Sequence, residues 1–243
     1  MNTVFNHRDT ERIQRRTAMT KLEIAITTAE DAVNAEAGGA DSVELSYNLE
    51  VGGLTPEYQV IQAVRDAVSM AMYVILRPHA ENFMYTEAQI DVILADIQAM
   101  QRIGVDGGVF GTVDKTEAID VALMKRITEA ALPLPVTLHR ALDGSREPEK
   151  ALEALVGVVE RVLTSGPAAT AWEGRDGLKL WVEQFGEHYK FIGAGSLTVD
   201  QLPDYIAWVR PDTVHMGSAA KTNGVVDVAK VRKLRAIVDE YSA

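Results

Sequence analysis

The feature that most constrains the fold of this chain is a regular alternation of short apolar runs with helix-like segments. The runs recur about every 25–35 residues, the length of one strand–helix unit, and only the first and last intervals are a little shorter. They begin near eight positions: Leu22, Ser42, Met72, Gly107, Pro135, Arg161, Lys190 and Thr213. Eight such units predict an α/β fold, a (β/α)8 TIM barrel in which parallel strands form a closed ring inside a layer of helices.

An open, doubly wound sheet is the competing architecture for the same alternation. Two features favour the barrel: the count of eight, and the polar residues that end nearly every run instead of gathering at one crevice. No linker or low-complexity segment interrupts the repeat, so residues 21–243 are predicted to form a single domain. Residues 1–20 mix both charge signs and are predicted to form a flexible N-terminal arm.

Helix signals fall between the runs. Thr86 precedes Ile90, Ile93 and Ile97, whose spacing gives the apolar stripe of a helix that lies on a sheet. The pair Thr55–Pro56 predicts another helix start, because threonine caps helix N-termini and proline suits the first helical position.

Composition excludes several classes of function. The net charge of −11 over 243 residues argues against nucleic acid as the main partner, because binding to phosphates needs a basic face. The chain has no cysteine, which excludes disulfides, thiolate nucleophiles and thiolate metal ligands. No apolar run approaches the roughly 20 residues of a membrane-spanning helix, and the N-terminal segment lacks the apolar centre of a secretory signal. We therefore expect a cytoplasmic protein that binds neither nucleic acid nor membrane.

Two of the predicted strands carry a carboxylate in apolar surroundings. Because side chains alternate along a strand, Glu23 faces away from Leu22, and Glu44 faces away from Val43. A buried, unpaired carboxylate is costly. Two acids on successive inward faces therefore predict a polar pocket inside the barrel.

Further polar residues stand where predicted strands finish, the end of this fold at which chemistry gathers. Arg77 precedes a proline, which favours extended geometry at a strand end, and its guanidinium suits a carboxylate or a phosphate. His139 and His215 stand at two other strand ends. The predicted catalytic residues at this mouth are Glu23, Glu44, Arg77, His139 and His215.

Each of these residues also has a purely structural interpretation. Glu23 would pair with Arg77 across the barrel, and an arginine would satisfy Glu44 in the same way. Taken singly, His139 and His215 fit hydrogen-bonded core positions. The sequence leaves both interpretations open.

Glycine-containing loops follow the last three predicted strands and read TSG, GAGS and HMGS. Barrel enzymes often bind phosphate in this region through backbone N–H groups, and small residues let the backbone approach an anion. Ser165, Gly166, Gly193 and Gly195 are predicted to bind a cofactor or anion. The alternative is that tight turns between strand and helix need glycine in any case.

Several motifs occur in a fixed order from about Leu22 to Ala219, namely GGADSVEL, EVGGLTPEY, ILRP, PLPVTLHRALD, RVLTSG, GAGS and HMGSA. In this combination the chain resembles the CutC family of copper homeostasis proteins. The resemblance implies a TIM barrel, a cytoplasmic location, a homo-oligomer and copper ion binding. The family's polar constellation is matched here by Glu23, Glu44, Arg77, His139, Arg140 and His215.

The chain departs from the family at positions that bear on copper. Where family members typically carry a cysteine after the acid of the second strand, this chain has Ser46. Cu(I) is soft and prefers sulfur, so any metal held by the acids and histidines is expected to be a harder or borderline divalent ion.

Three functions fit these observations. The first is a metal-handling role in copper homeostasis, with a polar pocket at the C-terminal mouth of the barrel. The second is a lyase, isomerase or hydrolase acting on a small phosphorylated or carboxylated metabolite, with Glu23 or Glu44 as base, Arg77 as anion clamp, and His139 and His215 as acid partners. The third is a non-catalytic scaffold whose outer helices assemble subunits. The expected partner is a small anionic ligand or a metal ion.

Overall fold

A computed structural model describes residues 19–242, in which eight parallel strands close into a barrel in chain order. The strands are β1 (Lys21–Ile26), β2 (Ser42–Leu45), β3 (Ala71–Ile75), β4 (Gly107–Phe110), β5 (Val136–Leu138), β6 (Arg161–Thr164), β7 (Lys190–Gly193) and β8 (Thr213–Met216). Every strand begins within one residue of its predicted start. The barrel closes because β1 pairs with both β2 and β8, which confirms the (β/α)8 class and excludes the open sheet.

A helix follows each strand on the outside of the ring. The helices are α1 (Ala29–Gly38), α2 (Tyr58–Ala67), α3 (Glu87–Ile103), α4 (Val121–Ala131), α5 (Pro148–Ala154), α6 (Ala171–Phe185), α7 (Leu202–Val209) and α8 (Val228–Tyr241). A short hairpin of β9 (Lys221–Thr222) and β10 (Val225–Val226) precedes α8. No helix within residues 19–242 combines the length and the hydropathy that crossing a bilayer requires.

The two helix starts predicted from sequence had different outcomes. Thr86 caps α3 in a reciprocal capping box with Gln89, which confirms the first. The second is wrong, because α2 begins at Tyr58. Thr55 instead pairs with the end of β3: its N–H donates to the carbonyl of Arg77, and its hydroxyl accepts from the Arg77 N–H.

Thr20, the last residue of the predicted N-terminal arm, packs against the barrel. Residues 1–18 of the predicted N-terminal arm lie outside the described residues. Thr20 is buried, and its hydroxyl donates to the carbonyl of Pro211 at 2.9 Å. Thr20 is therefore part of the packed barrel.

The barrel separates two environments. The outward side chains of β1, such as Leu22 and Ile24, belong to the apolar core between strands and helices. The inward side chains are stacked in levels, because neighbouring strands are offset in register. Arg161 opens β6 near the N-terminal end of the barrel, whereas Glu44 and His215 hold the third positions of β2 and β8.

We predict that Gly174→Ala lowers the free energy of unfolding by about 1–3 kcal/mol in urea denaturation, because a new Cβ would overpack the contact between α6 and the loop after β6. That Cβ would lie 2.0 Å from the carbonyl oxygen of Ser165. The clash outweighs the roughly 1 kcal/mol by which alanine favours a helix over glycine. Gly144→Ala is the matched control, since a Cβ there meets nothing within 4 Å. Equal effects of the two substitutions would contradict this packing.

Candidate functional site

Glu23 lies inside the barrel and is 1% exposed. One carboxylate oxygen, Oε2, accepts hydrogen bonds from Arg161 Nη2 at 2.7 Å and from Ser42 Oγ at 2.9 Å. The other, Oε1, lies 3.1 Å from His215 Nδ1. The partners come from β6, β2 and β8, so this one carboxylate connects four strands across the interior.

The surroundings of Glu23 keep it ionised. Burial raises the pKa of the Glu23 carboxyl. The hydrogen bond with His215 and the positive charge of Arg161 outweigh burial and lower the pKa to about 2. The guanidinium of Arg161 is fixed in turn by the ring of Tyr73, whose centroid lies 3.5 Å from Cζ. The Glu23–Arg161 pair is therefore a rigid, charged unit in the barrel interior.

Glu44 is the contrasting acid of the site. Glu44 is 9% exposed. Its carboxylate oxygen Oε2 is buried and has no hydrogen-bond partner among residues 19–242. Burial raises the pKa of Glu44; the charge of His215 lowers it, the negative charge of Glu23 raises it, and the net shift is upward. The structural alternative for Glu44, an arginine bonded to its carboxylate, does not occur within the described part of the chain.

His215 lies between the two acids. Burial lowers the pKa of its imidazole, but the hydrogen bond to Glu23 and the charges of Glu44 and Glu23 raise it above its ordinary value. One ligand atom from each of Glu23, Glu44 and His215 can be chosen so that all lie within 4.8 Å of one another. These three predicted residues therefore do come together, and they can hold either protons or a metal ion.

Arg77 lies apart from this cluster. Its Nη1 donates to the carbonyls of Val51 at 2.8 Å and Gly53 at 3.1 Å, and its Nη2 donates to the carbonyl of Ala80 at 3.0 Å. The guanidinium thus fastens the loops that follow β2 and β3. The predicted structural pair of Glu23 with Arg77 is wrong, because the arginine that meets Glu23 is Arg161.

His139 is also separate from the acids. Its Nδ1 accepts from the Ala141 N–H at 3.1 Å, and its ring packs 4.7 Å from that of Phe83. Burial and the charge of Arg77 lower the pKa of His139 to about 3. The neutral imidazole is therefore favoured, and its role as an acid partner stays a prediction from the sequence.

Ser165, predicted to bind a cofactor or anion, is occupied by its own neighbours. Its hydroxyl donates to Asp143 Oδ2 at 2.7 Å and accepts from Arg140 Nη2 at 3.2 Å. Arg140 also pairs with Asp143 at 2.7 Å. These bonds fix the loop after β6 against the loop after β5.

The three glycines of the predicted anion loops have packing roles. Gly166 has φ +76°, and a Cβ there would lie 2.5 Å from the carbonyl oxygen of Gly174. A Cβ at Gly193 would lie 2.4 Å from the hydroxyl of Tyr205. Gly195 has φ +117°, a conformation that glycine adopts without strain. Close packing and turn geometry explain these glycines without a ligand.

Sequence reasoning missed Arg161 and Ser42 as members of the site. Arg161 is identified from sequence only as the first residue of a strand, and Ser42 only as a residue on the same face as Glu44. Arg161 is in phase with Leu163, so alternation places both on the inward face, where a charged group needs a partner. That signal was available in the sequence, although it does not say which acid the arginine meets.

The fold and the site define a class: a TIM barrel whose interior holds a buried network of two glutamates, an arginine and a histidine. Residues 20–219 match the model of the CutC family, and the chain belongs to that family. The resemblance inferred from the motifs is thereby confirmed.

The chain is similar in sequence and in structure to several CutC proteins. It is 35% identical over 240 residues to the human copper homeostasis protein cutC homolog, covering 89% of this chain and 88% of that protein. It is 39% identical over 189 residues to the family protein CutC of Mesorhizobium japonicum, covering 77% and 73%. A structure of CutC from Streptococcus agalactiae superposes on this chain with a TM-score of 0.77 at 24% sequence identity, covering 82% of this chain and 99% of that one. The superposition supports the same fold.

We predict opposite stability effects for Glu23→Gln and Glu44→Gln at neutral pH. Glu23→Gln should lower the free energy of unfolding by about 3–5 kcal/mol, because it leaves Arg161 buried without its anion. Glu44→Gln should raise it, because the substitution removes a buried carboxylate that has no bonded partner within residues 19–242. Urea denaturation measures both, and effects of the same sign would contradict the assignment.

The pH dependence of these two effects should also differ. The stabilisation from Glu23 is complete above the ordinary glutamate pKa of 4.5 and is lost as pH falls from there towards about 2. The deficit of Glu23→Gln therefore shrinks over that interval. Glu44 has a raised pKa, so its ionisation destabilises the fold as pH rises above 4.5, and the advantage of Glu44→Gln disappears below that pH.

Proposed function

We propose that this chain acts in copper homeostasis by binding a divalent copper ion at Glu44 and His215. The observation that carries the proposal is the buried Oε2 of Glu44, which has no partner among the described residues and lies in the three-residue cluster with His215 and Glu23. A buried carboxylate oxygen with no donor is satisfied by a cation. The role itself is the one for which the human relative is named.

The donor set decides the oxidation state of the metal. Carboxylate oxygen and imidazole nitrogen suit divalent copper or zinc, and a given site of this kind binds Cu²⁺ more tightly than Zn²⁺. Cu(I) does not fit, because the chain has no cysteine and the nearby methionine of β8, Met216, belongs to the outer apolar core. The ion that fits this site is therefore Cu²⁺, which the protein would bind as cargo and not as a resident cofactor.

The network assigns a part to each residue. Glu23 accepts from Nδ1–H of His215, which orients the ring and leaves Nε2 as the ligand atom. Arg161 neutralises Glu23, so the charge left to attract the ion is that of Glu44. Because binding requires ionised Glu44 and neutral His215, and both groups have raised pKa values, the ion competes with protons.

The residues between the acids and the C-terminal mouth have short side chains. The next inward residues after Glu44 and His215 on their strands are Ser46 and Gly217, and the one after Glu23 is Ala25. Ser46 and Ala25 are themselves buried, at 1% and 3% exposure. The cytoplasmic location and the homo-oligomeric state stay predictions from the sequence.

We predict that the purified chain binds one Cu²⁺ with release of protons in isothermal titration calorimetry run in several buffers. Glu44→Gln and His215→Ala should each weaken binding at least about tenfold, the effect expected when a ligand is lost. Affinity should fall between about pH 8 and pH 6 as both groups become protonated. His188→Ala, which changes an exposed histidine outside the barrel interior, is the control. Unchanged affinity in both site variants would exclude this metal site.

Acid–base catalysis on a small carboxylated or phosphorylated metabolite is a second candidate function. The observation that favours it is the opposite direction of the pKa shifts of Glu23 and Glu44, a pattern typical of an acid and a base in one site. His215, oriented by ionised Glu23, would take a proton from the metabolite, and protonated Glu44 would return one. Such a reaction would be of the lyase, isomerase or hydrolase type.

For this second candidate, a thermal-shift screen of metabolites in the presence of EDTA gives a direct test. At least one carboxylated or phosphorylated compound should raise the melting temperature of the wild type, and its effect should be lost in His215→Ala. The chelator separates this outcome from metal binding. If Cu²⁺ alone stabilises the chain, the metal-binding function is favoured over catalysis.

A further inference from the structure

A cavity lies at the opposite end of the barrel from the C-terminal mouth. Its volume is about 470 Å³, within the range of small-molecule sites. It is lined by the first residues of several strands, among them Lys21 of β1, Arg161 of β6 and Lys190 of β7. The N-terminal end of a TIM barrel usually serves stability. A cavity of this size at that end therefore calls for an explanation of its own.

Small side chains create this space. Ser42 and Ala71 begin β2 and β3 and line the cavity. Thr213 begins β8, on the other side of β1, and also lines the cavity. Where these short residues leave the end of the barrel open, the long side chains of Lys21 and Lys190 border the opening.

The cavity is cationic in a chain whose net charge is −11. Its charged lining residues are Lys21, Asp41, Arg161, Lys190, Arg210 and Asp212. Asp41 is occupied by Arg235 at 2.6 Å, and Asp212 accepts from the Phe191 N–H at 2.9 Å. The ammonium groups of Lys21 and Lys190 form no ion pair with another residue in the 19–242 range. The lining therefore offers unpaired positive charge to a ligand.

Arg161 provides the most specific feature of the cavity. The residue is 9% exposed, and its Nη2 is used by Glu23. Its Nη1 is buried and has no hydrogen-bond partner in the described chain. A buried N–H group without an acceptor costs free energy, and an anionic oxygen would remove that cost.

We propose that this cavity is a second ligand site, which binds a small dianion such as a phosphate monoester through Arg161, Lys21 and Lys190. The stacking of Arg161 on Tyr73 holds the guanidinium in place before the ligand arrives. The two ammonium groups come from β1 and β7, on either side of β8, and supply point charges that match a phosphate. The site is distinct from the cluster of Glu44 and His215, although it shares Arg161 with Glu23.

Titration of the wild-type chain with inorganic phosphate tests this proposal. Calorimetry at constant ionic strength, with sodium chloride as the balancing salt, should show saturable binding. Succinate and acetate, run in parallel, distinguish a dianion from a monoanion, and acetate should bind at least tenfold more weakly than phosphate. Binding of acetate as tight as that of phosphate would overturn the assignment of a dianion.

The double variant Lys21→Met/Lys190→Met should weaken phosphate binding at least tenfold, since it removes both charges and keeps the aliphatic stems. Lys125→Met, an exposed lysine of α4, is the matched control and should leave the affinity unchanged. Unchanged affinity in the double variant, or phosphate binding no tighter than that of chloride, would each overturn the proposal.

Discussion

The buried ion pair between Glu23 and Arg161 is the interaction on which the interior of this barrel depends. Two charges in an apolar ring would cost several kcal/mol each if either were unpaired. Here the pair is supported by Ser42, His215 and the ring of Tyr73, so both charged groups are satisfied from several strands. The barrel interior thereby holds a polar network beside branched apolar residues such as Leu163 and Ile192, which form a buried cluster separate from the outer core.

The same pair sets the chemistry of its neighbours. Burial is the main cause of the raised pKa of Glu44, and the charge of ionised Glu23 adds to it. The hydrogen bond to Glu23 is the main cause that raises the pKa of His215 against its burial. The site thus holds an acid biased towards its neutral form next to a histidine biased towards its cationic form. That combination exchanges protons readily and releases them when a cation binds. Both candidate functions rely on this property.

Much of the fold follows from local patterns, and less of the site does. The period of the apolar runs gives each strand, and alternation correctly turns Glu23 and Glu44 inward. Alternation cannot say which side chains meet across a closed barrel, because that depends on register and shear, so Arg161 was missed as the partner of Glu23. Thr55–Pro56 failed as a helix start for a related reason: a long-range pairing with Arg77 overrode a local capping signal.

The central claim is that Glu23 is ionised while Glu44 resists ionisation, and infrared spectroscopy of the carboxyl groups tests it most directly. Difference spectra between the wild type and Glu44→Gln, followed through a pH titration, should show a protonated carboxyl band that persists above the pH at which ordinary glutamates lose theirs. The spectra of Glu23→Gln should show that Glu23 stays a carboxylate at pH values where ordinary glutamates are protonated. A persistent protonated band that disappears with Glu23→Gln and not with Glu44→Gln would contradict the claim.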